Sequence, residues 1–563
     1  MRSVFSQYKG AYTTVGASSP TQVVPGTLTL ESTFECIGMR CTFTGDNNDN
    51  ATATMRFKPT GGGTWFDAYV PIVDRRATID GALGSFSNSA YQYEARGSIV
   101  GLTQNTSYDV EVIWADADGV NGTATKSGSV TTQPTTPPTG GSTFYVDGDQ
   151  GSEGDGSSGN PFKTIANAIS NSSAGDTLVL RNSASPYVAM TISTSGTSTA
   201  YRKLINDSGH TPTIAAGASD NLTINANYWW IKGITFAASV DSLVKISGTS
   251  HHVYIDGCTA TDFGTSNTFG TGAVEIGGGA HHIFVVNNNF TRISTATLEI
   301  DGVFIDSEGC YALVIGDNTF SGPMWDVVGN GANSAGGPHM DNSDIVRNIC
   351  TGWEDDLFEM DSGAVNLRVW GNKASSSVSA SMLSTCDMQG PSYIFRNQLL
   401  STSSGVGLKQ GHGGEAYSFI FHNTFETLGG GSNEVLGEAG GTPESENKVF
   451  RNNILKASGN IIYQGGRSNS YNYNCTYQTT GSDYAYQWNG STTYATWAAF
   501  KSGTGQEAQG VNGNPLFLNA AKEIDDTSPA HDVGLVLANF NDANSAWPYK
   551  GAAPDMGYFE FQE

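Results

Sequence analysis

From about Leu28 to Thr132 apolar and polar residues alternate in short runs broken by Gly, Asn and Asp, the pattern of strands and tight turns rather than helices. In VGLTQNTSYDVEVIWADADGVNG (100–122), Leu102, Tyr108, Val110 and Val112 keep a period of two up to a turn at Asp118-Gly119. QPTTPPTGGS (133–142) reads as an extended linker. One later segment changes period: NPFKTIANAIS (160–170) sets Phe162, Ile165 and Ile169 at helical spacing, and the GDTLVLR that follows has the pattern of a buried strand. Beyond it, VKISGTSHHVYIDGC from Val244, VEIGGGAHHIFVVNN from Val274 and VFIDSEGCYALVIGDN from Val303 can be laid over one another. The first two are 30 residues apart, with coincident pairs His251-His252 and His281-His282.

A second series, Asn288, Asn318, Asn348, Asn372, Asn397, Asn423, Asn452 and Asn474, recurs at spacings of 30, 30, 24, 25, 26, 29 and 22. A repeat of this length predicts one supersecondary unit stacked on itself. The physical solution is a parallel β-solenoid, in which each turn pairs with the turns above and below and inward-pointing amides satisfy one another at a bend. The asparagines are therefore expected to be structural, and the paired histidines to be packing or turn residues rather than metal ligands. The short helix is expected to cover the open end of the solenoid, where bare strand edges would pair with other chains.

The Leu, Thr, Tyr, Val series of residues 100–122 resembles a fibronectin type III domain, which implies a tyrosine at a sandwich corner and a spacer or adhesion role. FYVDGDQGSEGDGSSGNPFKTIANAI with GDTLVLR, and the closing NPLFLN (514–519), SPAHDVG (528–534) and APDMGYFEF (553–561), resemble the right-handed parallel β-helix proteins of the pectate lyase and polygalacturonase type. The expected fold is all-β, a right-handed parallel β-helix (solenoid) preceded by a small β-sandwich. The expected division is a flexible leader over 1–24, the fibronectin-like sandwich over 25–132, the linker over 133–142, and the β-helix domain with its capping helix and closing segment over 143–563.

Composition narrows the partners. Seventy glycines and 14% charged residues fit many short strands, and a formal net charge of −25 repels nucleic acid and anionic membrane surfaces. No apolar run is long enough to span a bilayer, and MRSVFSQYKG lacks the apolar middle of a secretory signal. An extracellular setting is expected, by a trimmed signal or as a virion component, with the chain a monomer or a homotrimer. Seven cysteines make no zinc spacing; a bridge across a turn is open to Cys36 and Cys41 but is the lesser expectation, and the others are expected to be buried small apolar residues.

The stretch WEDDLFEMDSG (353–363) holds five carboxylates: Glu354, Asp355, Asp356, Glu359 and Asp361. Burying Phe358 and Met360 turns Glu359 and Asp361 outward, because unpaired interior carboxylates cost many kcal/mol. Asp361, Asp387 and His412 are 26 and 25 residues apart, one turn each, and are expected to form a row with Glu359 and Lys409 flanking it. Glu438 lies one turn further, His339 nearby, and Trp353 and Trp325 are candidates for stacking on sugars. Carboxylates about 5–5.5 Å apart suit a retaining glycosidase and about 6.5–9.5 Å an inverting one. The polygalacturonase resemblance implies an Asp-Asp pair, a Gly-His-Gly and an Arg-x-Lys on successive turns. This chain has Asp355-Asp356 and Gly411-His412-Gly413, but 56 residues apart, and no Arg-x-Lys follows. The leading expectation is an endo-acting glycoside hydrolase on a polysaccharide, with general acid/base carboxylates among Asp355, Asp356, Glu359, Asp361 and Asp387, with His412 and Lys409 orienting or binding the substrate, and needing no cofactor. The alternative is a lyase or epimerase on a uronan, with Lys409 as base and Ca²⁺ held by the acids. A non-catalytic glycan-binding adhesin or virion spike is the third reading, and a solvated acidic bend is the bland one.

Overall fold

The computed structural model describes residues 20–561, except 82–83, 88–90, 139, 267, 296–298, 307–308, 331–339, 361–363, 377–380, 386–388, 403–404, 411–416, 430–432, 439–446, 466–467, 481–484 and 490–491. The first strand, Val23–Ser32, opens a sandwich of two four-stranded antiparallel sheets that closes with Thr125–Thr131. Alternation sends Met39, Cys41, Met55, Val110, Val112 and Trp114 into its core. At the corner, the Tyr108 hydroxyl accepts the Thr103 amide at 3.0 Å. Cys36 and Cys41 are free thiols. They do not bridge, because Cys41 belongs to the sandwich core while Cys36 lies in a different cluster, against the solenoid.

From Thr143–Val146 onward the chain winds through three parallel sheets of 13, 13 and 12 strands. Each turn contributes one strand to sheet 1 (for example Leu367–Trp370), one to sheet 2 (Lys373–Ser376) and one to sheet 3 (Ser381–Thr385). The interior is one continuous apolar column from Val146 to Phe500. Helix Ile165–Ser170 closes the first turn; the Thr164 hydroxyl caps it and Ile165 and Ala168 are buried. A second helix, Trp497–Thr504, closes the far end by seating Phe500 against Tyr486 at 4.6 Å.

The asparagine ladder stands between sheets 1 and 2. Each Oδ1 accepts both the amide and the side-chain N–H of the asparagine one turn earlier, as Asn318 Oδ1 does from Asn288, at 2.9 Å each. The member expected at Asn452 is instead Asn453, which accepts from Asn423 and donates to Asn474. Asn452 has a left-handed φ of 58° and its amide reaches His422. The ladder ends on Glu507, whose carboxylate takes both Asn474 donors.

The sandwich is not a loosely tethered spacer. Phe34, Cys36, Ile72 and Val100 share one apolar cluster with Tyr254, Phe284, Tyr393 and Phe419 of sheet 1 and with Leu537 and Phe540 of the closing segment. Polar contacts cross the same boundary: Tyr91 Oη donates to Asp341 at 2.7 Å, Arg347 pairs with Glu35 at 2.6 Å, and Thr33 reaches Asp344. Sheet 1 is thus covered, and sheet 3 lies on another flank.

Candidate active site

At the corner where the chain passes from sheet 2 to sheet 3, three consecutive turns carry an acid. Asp301 lies at the start of Ile300–Ile305, Asp326 just before Val328–Asn330, and Asp356 opens Asp356–Glu359. They form a staircase, in which the Asp326 amide donates to Asp301 Oδ1 at 3.2 Å and the Asp356 amide to Asp326 Oδ1 at 2.7 Å. The three are 0%, 2% and 1% exposed, so water does not screen them. Glu299, Asp355 and Glu359 flank them, partly exposed. Oxygens of Glu299, Asp301 and Asp326 lie within 4.8 Å of one another, and so do oxygens of Asp326, Asp355 and Asp356.

Gly329 makes the room. A Cβ there would stand 2.1 Å from Asp301 Oδ2 and 3.1 Å from Asp326 Oδ2, so any larger residue would displace the carboxylates. Asp301 Oδ2 is buried with no hydrogen-bond partner among the described residues, which is costly for an oxygen in a dry site. Burial first, then the Glu299 charge, holds the Asp301 carboxyl well above the usual range, and burial and Asp301 do the same to Asp326. Burial and the Asp355 charge raise Glu299. Lys409 meets the cluster from two turns away, its Nζ 2.5 Å from Asp356 Oδ2. In the register of sheet 3, Glu359, Ser384 and Lys409 occupy one column of successive strands.

Six carboxylates, with the Lys409 amino group against one of them, make a dense oxygen cradle. Hard divalent cations such as Ca²⁺ take six to eight oxygens. The unpartnered Asp301 oxygen fits such an ion, with Glu299, Asp301 and Asp326 as one set of converging donors and Asp326, Asp355 and Asp356 as another.

The structure therefore gathers Asp355, Asp356, Glu359 and Lys409. Phe358 and Met360 are buried as expected, and Leu357, inside strand Asp356–Glu359, is buried with them. Trp353 is a correction. It is 0% exposed inside the apolar column, on the strand paired with Met324, and no sugar can stack on it; Trp325 is half-buried. His339, Asp361, Asp387 and His412 lie outside the described residues, as does the side chain of Glu438. Sequence reasoning missed Glu299, Asp301 and Asp326 because it extended the cluster towards later turns only. A signal was present: Asp326 stands eight residues after Asn318, as Asp356 stands eight after Asn348.

No family model matches the sequence, and no curated protein matches it. Among solved structures the chain is similar to pectate lyase Pel9A, at 14% identity and TM-score 0.45, covering 76% of this chain and 98% of that one. It is similar to an alginate lyase from Paenibacillus sp. str. FPU-7 at 14% identity and TM-score 0.36, covering 58% and 97%. It is also similar to the catalytic domain of a GH87 α-1,3-glucanase in complex with tetrasaccharides, at 13% identity and TM-score 0.27, covering 77% and 89%.

Proposed function

We propose that this protein is a polysaccharide lyase that cleaves a uronate-containing chain by cation-assisted β-elimination along the sheet 2 to sheet 3 corner. The observation that carries the reading is the buried three-turn carboxylate cradle with Lys409 against it. A glycosidase pair must straddle a sugar bond, with carboxylates about 5 Å apart or more. Here Asp301, Asp326 and Asp356 are instead stacked on one another by amide contacts and buried together.

Asp326, Asp355 and Asp356 would hold the ion, with Glu299, Asp301 and Glu359 around it. Bound there, Ca²⁺ would neutralise the substrate carboxylate and acidify the C–H beside it. From its neutral amine form Lys409 Nζ takes the proton from that carbon, the C–O bond to the leaving sugar on the next carbon breaks with its electron pair going to the oxygen, water protonates that oxygen, and a carbon–carbon double bond is left in the product. The ammonium that Lys409 becomes is stabilised by Asp356, its existing partner. Glu359, in the Lys409 column, borders the path of the chain.

The test is product formation on polygalacturonate, alginate and neutral glucans, followed by ultraviolet absorbance of unsaturated ends, with and without chelator. Absorbance that depends on Ca²⁺ and disappears in Asp326→Asn is the expected result. New reducing ends without that absorbance, unaffected by chelator, would mean hydrolysis and sink the proposal.

A further inference from the structure

The two His-His pairs begin successive strands of sheet 1, His251–Asp256 and His281–Val286. Neighbours in a strand ordinarily point to opposite faces. Here the second member of each pair has a left-handed φ, 55° at His252 and 52° at His282, and the two side chains converge instead. Their Nδ1 atoms meet at 3.0 Å in the first pair and 2.9 Å in the second. The pairs also stack between turns, His251 on His281 at 4.9 Å and His252 on His282 at 4.4 Å, and Tyr311 closes the outer column 4.6 Å from His281.

Two nitrogens that share one proton at this distance also form a chelate. With metal–nitrogen bonds of about 2.0–2.1 Å, a 2.9 Å bite subtends roughly 90°, the cis angle of tetragonal Cu²⁺ and Ni²⁺ complexes. A second observation points the same way. His282 Nε2 lies 3.2 Å from Glu31 Oε1, on the last turn of chain in sandwich strand Val23–Ser32. A carboxylate on the far nitrogen fixes the tautomer and leaves the Nδ1 lone pair facing His281, the arrangement by which metal-binding histidines are held. Donor atoms of His252, His281 and His282 all lie within 4.8 Å of one another. A cleft of about 450 Å³ is bordered by Glu31 and by Tyr311, which stacks on His281.

We propose that the Nδ1 atoms of His281 and His282 chelate a divalent transition-metal ion of the Cu²⁺ or Ni²⁺ type, with water completing its coordination, and that Glu31 positions His282 for it. The ion fastens the sandwich to the solenoid at this turn. This site is separate from the oxygen cradle and does not depend on the lyase reading.

The experiment uses the full chain without a polyhistidine tag, stripped of metal and kept in excess Ca²⁺ so that oxygen sites are filled. Cu²⁺ is titrated by calorimetry and its ligands are read by electron paramagnetic resonance. One equivalent with nitrogen hyperfine couplings is expected, lost in His281→Gln/His282→Gln and weakened about 10–100-fold in Glu31→Gln. If the double variant does not fold, Glu31→Gln and the single variant His281→Gln decide by the same affinity comparison. Binding as tight in Glu31→Gln and His281→Gln as in the parent, a spectrum without nitrogen couplings, or no binding overturns the proposal.

Discussion

At the scale of single residues, burial raises the carboxyls of Asp301, Asp326 and Glu507. Under the proposed lyase reading, Lys409 is the group whose loss would separate chemistry from cation binding. Lys409→Ala is expected to lower the rate of elimination about 10²–10⁴-fold while leaving Ca²⁺ affinity in place, measured by initial rates and calorimetry. Lys409→Arg should not rescue it, since a guanidinium does not give up its proton near neutral pH. Glu507 offers a cleaner titration. Burial pushes its carboxyl up to about 7, against the hydrogen bonds from Asn474 that favour ionisation. Because the folded state holds that proton more tightly than the unfolded chain, its contribution to stability is present below the unfolded value of about 4.3 and is lost as pH rises through about 7. Glu507→Gln, whose single amide oxygen can accept both Asn474 donors as the ladder asparagines do, should flatten that dependence. It is expected to raise stability at pH 8 by up to about 3 kcal/mol in denaturant melts. Unchanged pH dependence would contradict the assignment. Asp355, Asp356 and Lys409 were legible as residues, since acids and a lysine in strand text ask for a purpose. Trp353 was misread because a ring that packs and a ring that stacks on sugar have the same spelling.

At the scale of elements, the asparagine ladder shows how a repeat is legible in outline and uncertain by one residue. Asn452 and Asn453 are adjacent, either fits an irregular spacing, and only the bend geometry puts Asn453 inside and Asn452 in the left-handed position. An interior rung bonds above and below: Asn397 accepts from Asn372 and donates to Asn423 and to the Val369 carbonyl. Asn397→Ala strands buried donors on Asn372 and should cost about 3 kcal/mol by equilibrium denaturation. A loss below about 0.5 kcal/mol would show that the ladder is not coupled in this way. Helix Ile165–Ser170 was readable because its period departs from the strands around it. Helix Trp497–Thr504 was not, because WAAFKSGT presents one buried aromatic, Phe500, and little amphipathic pattern.

At the scale of the molecule, sandwich, sheet 1 and closing segment share one buried cluster, and Val100 exchanges hydrogen bonds of 2.8 and 2.9 Å with Asn539 in the last part of the chain. Within that interface Arg368 grips Asp344 with two bonds, both residues buried. Removing one member of such a pair typically costs about 3–5 kcal/mol, because the other charge is left dry. Sandwich and solenoid are therefore expected to melt in a single calorimetric transition, and Asp344→Ala should lower it as a whole. Two resolved transitions in the parent, or an upper one untouched by Asp344→Ala, would show independent units.

What the sequence determined by itself is the class of the fold and the acidic stretch at which the candidate site lies, because side-chain period and repeat length are local properties that a linear text preserves. Alternation identified the sandwich, the 22-to-30-residue repeat identified the solenoid, and WEDDLFEMDSG identified the corner. What only the tertiary structure decided is which turns meet there. Asp301 and Asp326 come from two earlier turns, Lys409 from two later, and their closeness follows from parallel register between strands 25 to 53 residues apart. The docking of the sandwich on sheet 1 was equally out of reach, since complementarity between two apolar faces is a property of shape, and neither face carries a mark of the other in its own sequence.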